Sequence, residues 1–142
     1  MNGDRLSAEE QLEEVDCILK SRSQLYENYH QNYLKNLQEI QHKKQVLNAF
    51  EEAVALIEDQ LDLHEKFQNQ AHRHEISRLK ENYELLREKM VSIKKTQSEL
   101  QADLEADITC SRQLDCWMNA LKPELRALRS TRESLSQSVT VH

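Results

Sequence analysis

One glycine, Gly3, and one proline, Pro123, are all that 142 residues offer for tight turns. Sheets joined by hairpins and compact folds with many short loops need such residues at their reversals, so both are excluded. The same scarcity rules out a glycine-rich phosphate loop. Aromatic residues make up only 5% of the chain, which leaves little of the large apolar side-chain volume that a globular core uses. No apolar run approaches the roughly 18 residues that span a bilayer. The acidic opening MNGDRLSAEEQLEE also lacks the basic-then-apolar order of a secretory signal. A soluble, cytoplasmic protein is expected. The cysteines, Cys17, Cys110 and Cys116, are odd in number and unrelated in spacing, which suits reduced thiols packed at a core edge better than a disulfide framework.

What the chain does contain is helix-forming and charged. Charged residues account for 31%, and Glu, Gln, Lys, Leu and Arg are abundant, so the fold class is all-α. The net charge of −6 lacks the dense basic face that phosphate backbones require, and nucleic acid is excluded as a partner. The charge is unevenly spread. Met1 to Ala71 carries 7 basic and 14 acidic residues, whereas His72 to His142 carries 12 basic and 11 acidic. An acidic half laid against a nearly neutral half, or against a basic partner, is favoured over two acidic halves in register. At 38% hydrophobic, thinly distributed, the chain buries less per residue than a compact domain and depends on partners for stability.

The apolar residues follow two coiled-coil seams. Ser7-Ala8-Glu9-Glu10 is a capping box in which the Ser7 hydroxyl accepts from the Glu10 amide, so the first helix starts near Ser7. The first seam then runs Leu12, Val15, Leu19, Tyr26, Tyr29, Tyr33, Leu37, Ile40, Leu47, Phe50, Val54, Ile57 and Leu61, with Arg22 and Lys43 where apolar residues are due and Leu37 replacing Asn36 on the stripe. Local unwinding is expected there. The second seam, Ile76, Leu79, Tyr83, Leu86, Met90, Ile93, Gln97, Leu100 and Leu104, keeps a strict 3-then-4 spacing. Asp107 and Ser111 then interrupt the stripe before Leu114, Met118, Leu121, Leu125 and Leu128 resume it, which implies a weak point over 107–113. Pro123 lacks an amide proton and predicts a kink or short restart.

The two seams are out of phase across DLHEKFQNQAHRHE, a stretch that contains Ala71, the midpoint of the chain. The expected segments are a disordered start over 1–6, a coiled-coil helix over 7–63, and a register break or turn over 64–75. They continue with a second coiled-coil helix over 76–108, a C-terminal helical segment kinked near Pro123 over 109–133, and a flexible tail over 134–142. Either an antiparallel hairpin or one long interrupted helix satisfies the pattern, and a three-helix bundle is the third alternative.

A narrow seam must be covered by another helix, so these residues point to a non-enzymatic structural or adaptor subunit of a heteromeric complex. Tyr26, Tyr29 and Tyr33 are too large and polar for the tight seam of a symmetric parallel dimer. With Arg22, Lys43 and Gln97, they favour a hetero-oligomer with another coiled-coil protein over a homodimer. The expected partner-binding residues are Leu12, Leu19, Tyr26, Tyr33, Ile40, Leu47, Val54, Leu61, Ile76, Leu79, Tyr83, Leu86, Met90, Ile93, Leu100, Leu104, Trp117, Leu121, Leu125 and Leu128. Trp117 acts as an anchor against a partner helix. Lys122, Arg126 and Arg129 share one face, with Arg132 following. They supply the alternative, a homodimeric peripheral membrane or cytoskeleton binder, although membrane contact is disfavoured by so few charges.

No cofactor or metal is expected. His72 and His74 are two apart, so on a helix they point away from each other and cannot share an ion, and Cys110 and Cys116 have no second pair. In composition and pattern the chain resembles the short coiled-coil subunits of ciliary, centrosomal, kinetochore and vesicle-tethering complexes. That likeness implies an assembly role and carries no site residues with it.

Overall fold

The computed structural model of the protein describes residues 7–68 and 73–141, with residues 73, 74 and 141 described by their backbone alone. The described residues form two helices, α1 over Ala8–Gln68 and α2 over Arg73–Val141. The cap works as the sequence requires. The Glu10 amide donates to Ser7 Oγ at 3.2 Å and the Gln11 amide donates to the Ser7 carbonyl at 2.9 Å, which gives partners to amides that a helix start leaves open. Glu9 and Glu10 then lie at the positive end of the helix dipole.

The chain divides into two compact units, Met1–Leu37 with Thr109–His142, and Gln38–Ile108. In the first, Asp16 meets Arg132 at 2.6 Å, Arg22 meets Glu124 at 3.1 Å, and the Tyr29 ring lies 5.3 Å from Trp117. In the second, Lys43 pairs with Asp107, and the Tyr83 hydroxyl donates to Glu65 at 3.0 Å. Rising numbers on α1 meet falling numbers on α2 in each unit. The fold is an all-α antiparallel hairpin, which sets aside both the single long helix and the three-helix bundle. Of the register break or turn expected over 64–75, residues 64–68 belong to α1 and 73–75 to α2, while 69–72 lie outside the described residues, as does the disorder expected over 1–6.

The polar interruptions of the two seams answer one another. Lys43 and Asp107 were each out of place on an apolar stripe, yet across the hairpin they form an ion pair whose side chains are only 24% and 19% exposed. Around it Ile40, Leu47 and Leu104 are buried, with Leu100 and Ile108 packed against them. The first unit buries Leu114, Met118, Leu121 and Leu125 together with Ser111. Full burial of such a side chain contributes roughly 1.5–3 kcal/mol, and most other seam residues are only half-buried, because a single partner helix covers only one stripe.

Five local expectations change. Asn36 is half-buried and Leu37 is 39% exposed, so the seam keeps its phase from Tyr33 through Asn36 to Ile40 without a stagger. The span 107–113 is helical, because Lys43 compensates Asp107 and Ser111 is small enough to be buried. α2 passes through Pro123 as one helix without the restart offered as one alternative, with Leu121 and Leu125 buried on either side of it. Helix also continues through 134–141, where a tail was expected. There Ser138 and Thr140 hydroxyls donate to the carbonyls of Ser134 and Ser136, while Leu135 and Val139 remain half-buried. The three cysteines are free, but all are exposed rather than packed.

Two outcomes follow for stability. Lys43→Asp or Asp107→Lys alone should lower the thermal midpoint by a few degrees, and the double exchange should recover most of the loss; circular dichroism melts of the four proteins measure the coupling. Asp107 raises the Lys43 ammonium above its usual 10.5, and the hydrogen bond to Glu65 raises the Tyr83 phenol above its usual 10.0. Both protonated groups favour the folded chain, so their stabilisation is complete below those ordinary values and disappears as pH climbs through the raised ones. Urea midpoints taken from pH about 9 upward should fall less steeply in Lys43→Met/Tyr83→Phe than in the parent.

Candidate partner interface

Of the nine large apolar residues left exposed among the described residues, the five most exposed, Leu56, Leu63, Phe67, Leu85 and Val91, lie in the second unit. At the end of α1, Gln60, Leu63 and Phe67 recur at steps of three and four, with Leu56 one turn before them, so they form a stripe beside the seam. At the start of α2, Asn82, Leu85 and Lys89 repeat the same spacing next to the seam residues Leu79 and Leu86. Apart from Leu56, these residues and His64 line a groove of about 570 Å³ between the helices.

The walls of this groove are large and uncovered. Leu63 is 49% exposed, Phe67 57% and Leu85 55%, a cluster unlike the scattered single apolar residues of an ordinary surface. The polar groups on the rim are few: two amides, the Lys89 ammonium and an imidazole. His64 Nδ1 lies 2.8 Å from the Gln60 carbonyl and donates to it when that nitrogen bears the proton. Tyr83 is fixed by its bond to Glu65 and by the Arg87 guanidinium 5.9 Å above its ring. Over 45–65, α1 carries six carboxylates, Glu51, Glu52, Glu58, Asp59, Asp62 and Glu65, and no lysine or arginine; all six are exposed. Such a surface suits apolar anchors from another protein, with cations at their edge.

The seam residues are distributed differently from the sequence expectation. Ile40, Leu47, Leu104, Leu121 and Leu125 are buried inside the chain, where they hold the hairpin closed. Leu12, Leu19, Tyr26, Tyr33, Val54, Leu61, Ile76, Leu79, Tyr83, Leu86, Met90, Ile93, Leu100 and Leu128 are half-buried along the same seams. Trp117 is 43% exposed and leans on Tyr29 at an interplanar angle of 39°. Of these, only Leu79 and Leu86 line the groove. Leu63, Phe67 and Leu85 were passed over because they lie off the seam. Their signal was the second apolar stripe Leu56, Leu63, Phe67 and the doubled Leu85-Leu86.

Among the described residues no cluster of three His, Cys, Asp or Glu side chains could hold a metal ion. His72 and the side chain of His74 lie outside the described residues. No helix among them is long and apolar enough to cross a membrane.

The arrangement is thus an antiparallel coiled coil with an uncovered apolar groove at one side of its second unit. A family model, that of the phosphatidylinositol 3-kinase regulatory subunit P85 inter-SH2 domain, matches residues 1–142. With two long helices and a match over its whole length, the chain belongs to this family of regulatory coiled-coil domains.

Proposed function

We propose that the chain is the coiled-coil arm through which a regulatory subunit holds the catalytic subunit of a lipid kinase, and that the groove between Leu63, Phe67 and Leu85 takes part in that contact. The family supports a regulatory, non-enzymatic role in a heteromeric assembly. The observation that carries the reading is the exposure of Leu63, Phe67 and Leu85 around one groove. A hairpin that already satisfies its own seam has no intramolecular use for them, and central apolar anchors are the side chains that supply most of an interface's affinity. The partner is a different protein. The open stripe is bordered by carboxylates on α1, and two copies placed face to face at this stripe would bring like charges together.

The cytoplasm is the compartment that suits such a subunit. Neither the groove nor the family description points to cytoskeletal, ciliary, centrosomal or trafficking assemblies. Basic residues of the first unit would support a salt-sensitive surface contact as a second reading, but Leu125, the apolar residue among them, is only 4% exposed and offers nothing to insert into a bilayer.

The test is capture of the catalytic subunit by the tagged chain. Leu63→Asp with Leu85→Asp should reduce capture at least tenfold, a loss expected of two buried anchors, while helicity and melting stay near the parent because both residues are exposed. Undiminished capture by this double variant would remove the groove from the interface. Leu47→Asp serves as the contrasting variant, since it should unfold the hairpin and lose capture and helicity together.

A further inference from the structure

The first unit carries a separate groove of about 360 Å³ lined by Tyr26 from α1 and by Lys122, Leu125, Arg126 and Arg129 from α2. The three cations recur at steps of four and three, so they share one helix face. Their basic neighbours are neutralised across the hairpin, Arg22 by Glu124 and Arg132 by Asp16. Lys122, Arg126 and Arg129 have no ion-pair partner among the described residues. Three positive charges without an ion-pair partner therefore line the same groove as Tyr26.

Two of the other three tyrosines are placed otherwise. Tyr29 packs on Trp117, and Tyr83 donates to Glu65 and lies under Arg87. Tyr26 is half-buried, its ring parallel to that of His30 at 6.3 Å and 9°, and it lines the groove together with the three cations. A dianion attached to its oxygen would meet charge-assisted donors from the opposite helix. Guanidinium groups are the side chains best suited to grip a phosphate in that way.

We propose that Tyr26 is a phosphorylation site and that Lys122, Arg126 and Arg129 clasp the phosphate, tying α1 to α2 in the first unit. The donor is a nucleoside triphosphate bound by a protein tyrosine kinase. The Tyr26 oxygen attacks the γ-phosphorus, the bond from that phosphorus to its bridging oxygen breaks, and nucleoside diphosphate leaves. The phenolic proton passes to the kinase's base. The product carries close to two negative charges near neutral pH, which three unpaired cations can balance. Kinase access requires local opening of α1 around the half-buried ring, and closure afterwards traps the phosphate in the groove.

The test uses the full chain. It is incubated with purified tyrosine kinases and ATP, and the modified residues are mapped by mass spectrometry; a second preparation carries phosphotyrosine at position 26 by genetic incorporation. Tyr26 should be modified, the phosphorylated chain should melt higher than the unmodified one, and a phosphatase should remove the group several-fold more slowly than from Arg126→Gln/Arg129→Gln. In ³¹P NMR the second ionisation of the phosphate should fall below its usual position near neutrality and return towards it in that double variant, since cations favour the dianion. Modification that spares Tyr26 under all the kinases would overturn the site. A phosphate at position 26 that titrates at its usual position, or identically in the double variant, would overturn the clasp.

Discussion

Lys43 and Asp107 each occupy a seam position where an unpaired charge would be shielded from water without compensation. The two helices can therefore close well only in the alignment that brings these side chains together. A slip of one heptad would set Lys43 against Leu100 or Leu114 and leave Asp107 without its cation. The buried residues nearest the pair, Ile40, Leu47 and Leu104, are apolar and would tolerate several alignments almost equally, since leucine contacts are non-directional. Register comes from the charges, and most of the burial comes from the leucines around them. In the first unit, Arg22 with Glu124 and Asp16 with Arg132 repeat the device in more exposed form, where each pair contributes less.

A hairpin of only two helices leaves much of each helix uncovered. Seven apolar residues are buried while nine large ones stay exposed among the described residues, so folding does not use up the chain's apolar surface. In the second unit that surplus gathers around the groove of Leu63, Phe67 and Leu85. This links fold to function in physical terms. The seam residues close the hairpin, and the off-seam residues leave apolar surface open to a partner. A regulatory domain built this way can hold a partner without rearranging its own core.

Much of the architecture was legible in the residue pattern. The Ser7 cap, the absence of strands among the described residues, and the half-buried or buried state of the seam residues other than Leu37 all follow from spacing, because helical periodicity is a local property. Asn36 and Leu37 show where spacing fails: both fit a stripe when one helix is read alone, and only the opposing helix selects Asn36. The interruptions Arg22, Lys43 and Asp107 looked like defects for the same reason. Each has its complement at least sixty residues away on the other helix, beyond the reach of a periodicity argument. Leu63, Phe67 and Leu85 were overlooked because a search for the seam discards the residues beside it.

The sequence by itself determined that this chain is helical, where its first helix begins, which side of each helix is apolar, and that chemistry built on glycine-rich loops is absent. Those properties depend on residues within a few turns of one another. The tertiary structure decided that the chain reverses on itself, that Lys43 answers Asp107, that the two seams face each other within the hairpin, and that Tyr26 lines one groove with Lys122, Arg126 and Arg129. These depend on which residues of α1 stand opposite which residues of α2. That alignment is set by ion pairs between residues far apart in the sequence, Lys43 with Asp107 above all, and no single stretch of sequence contains it.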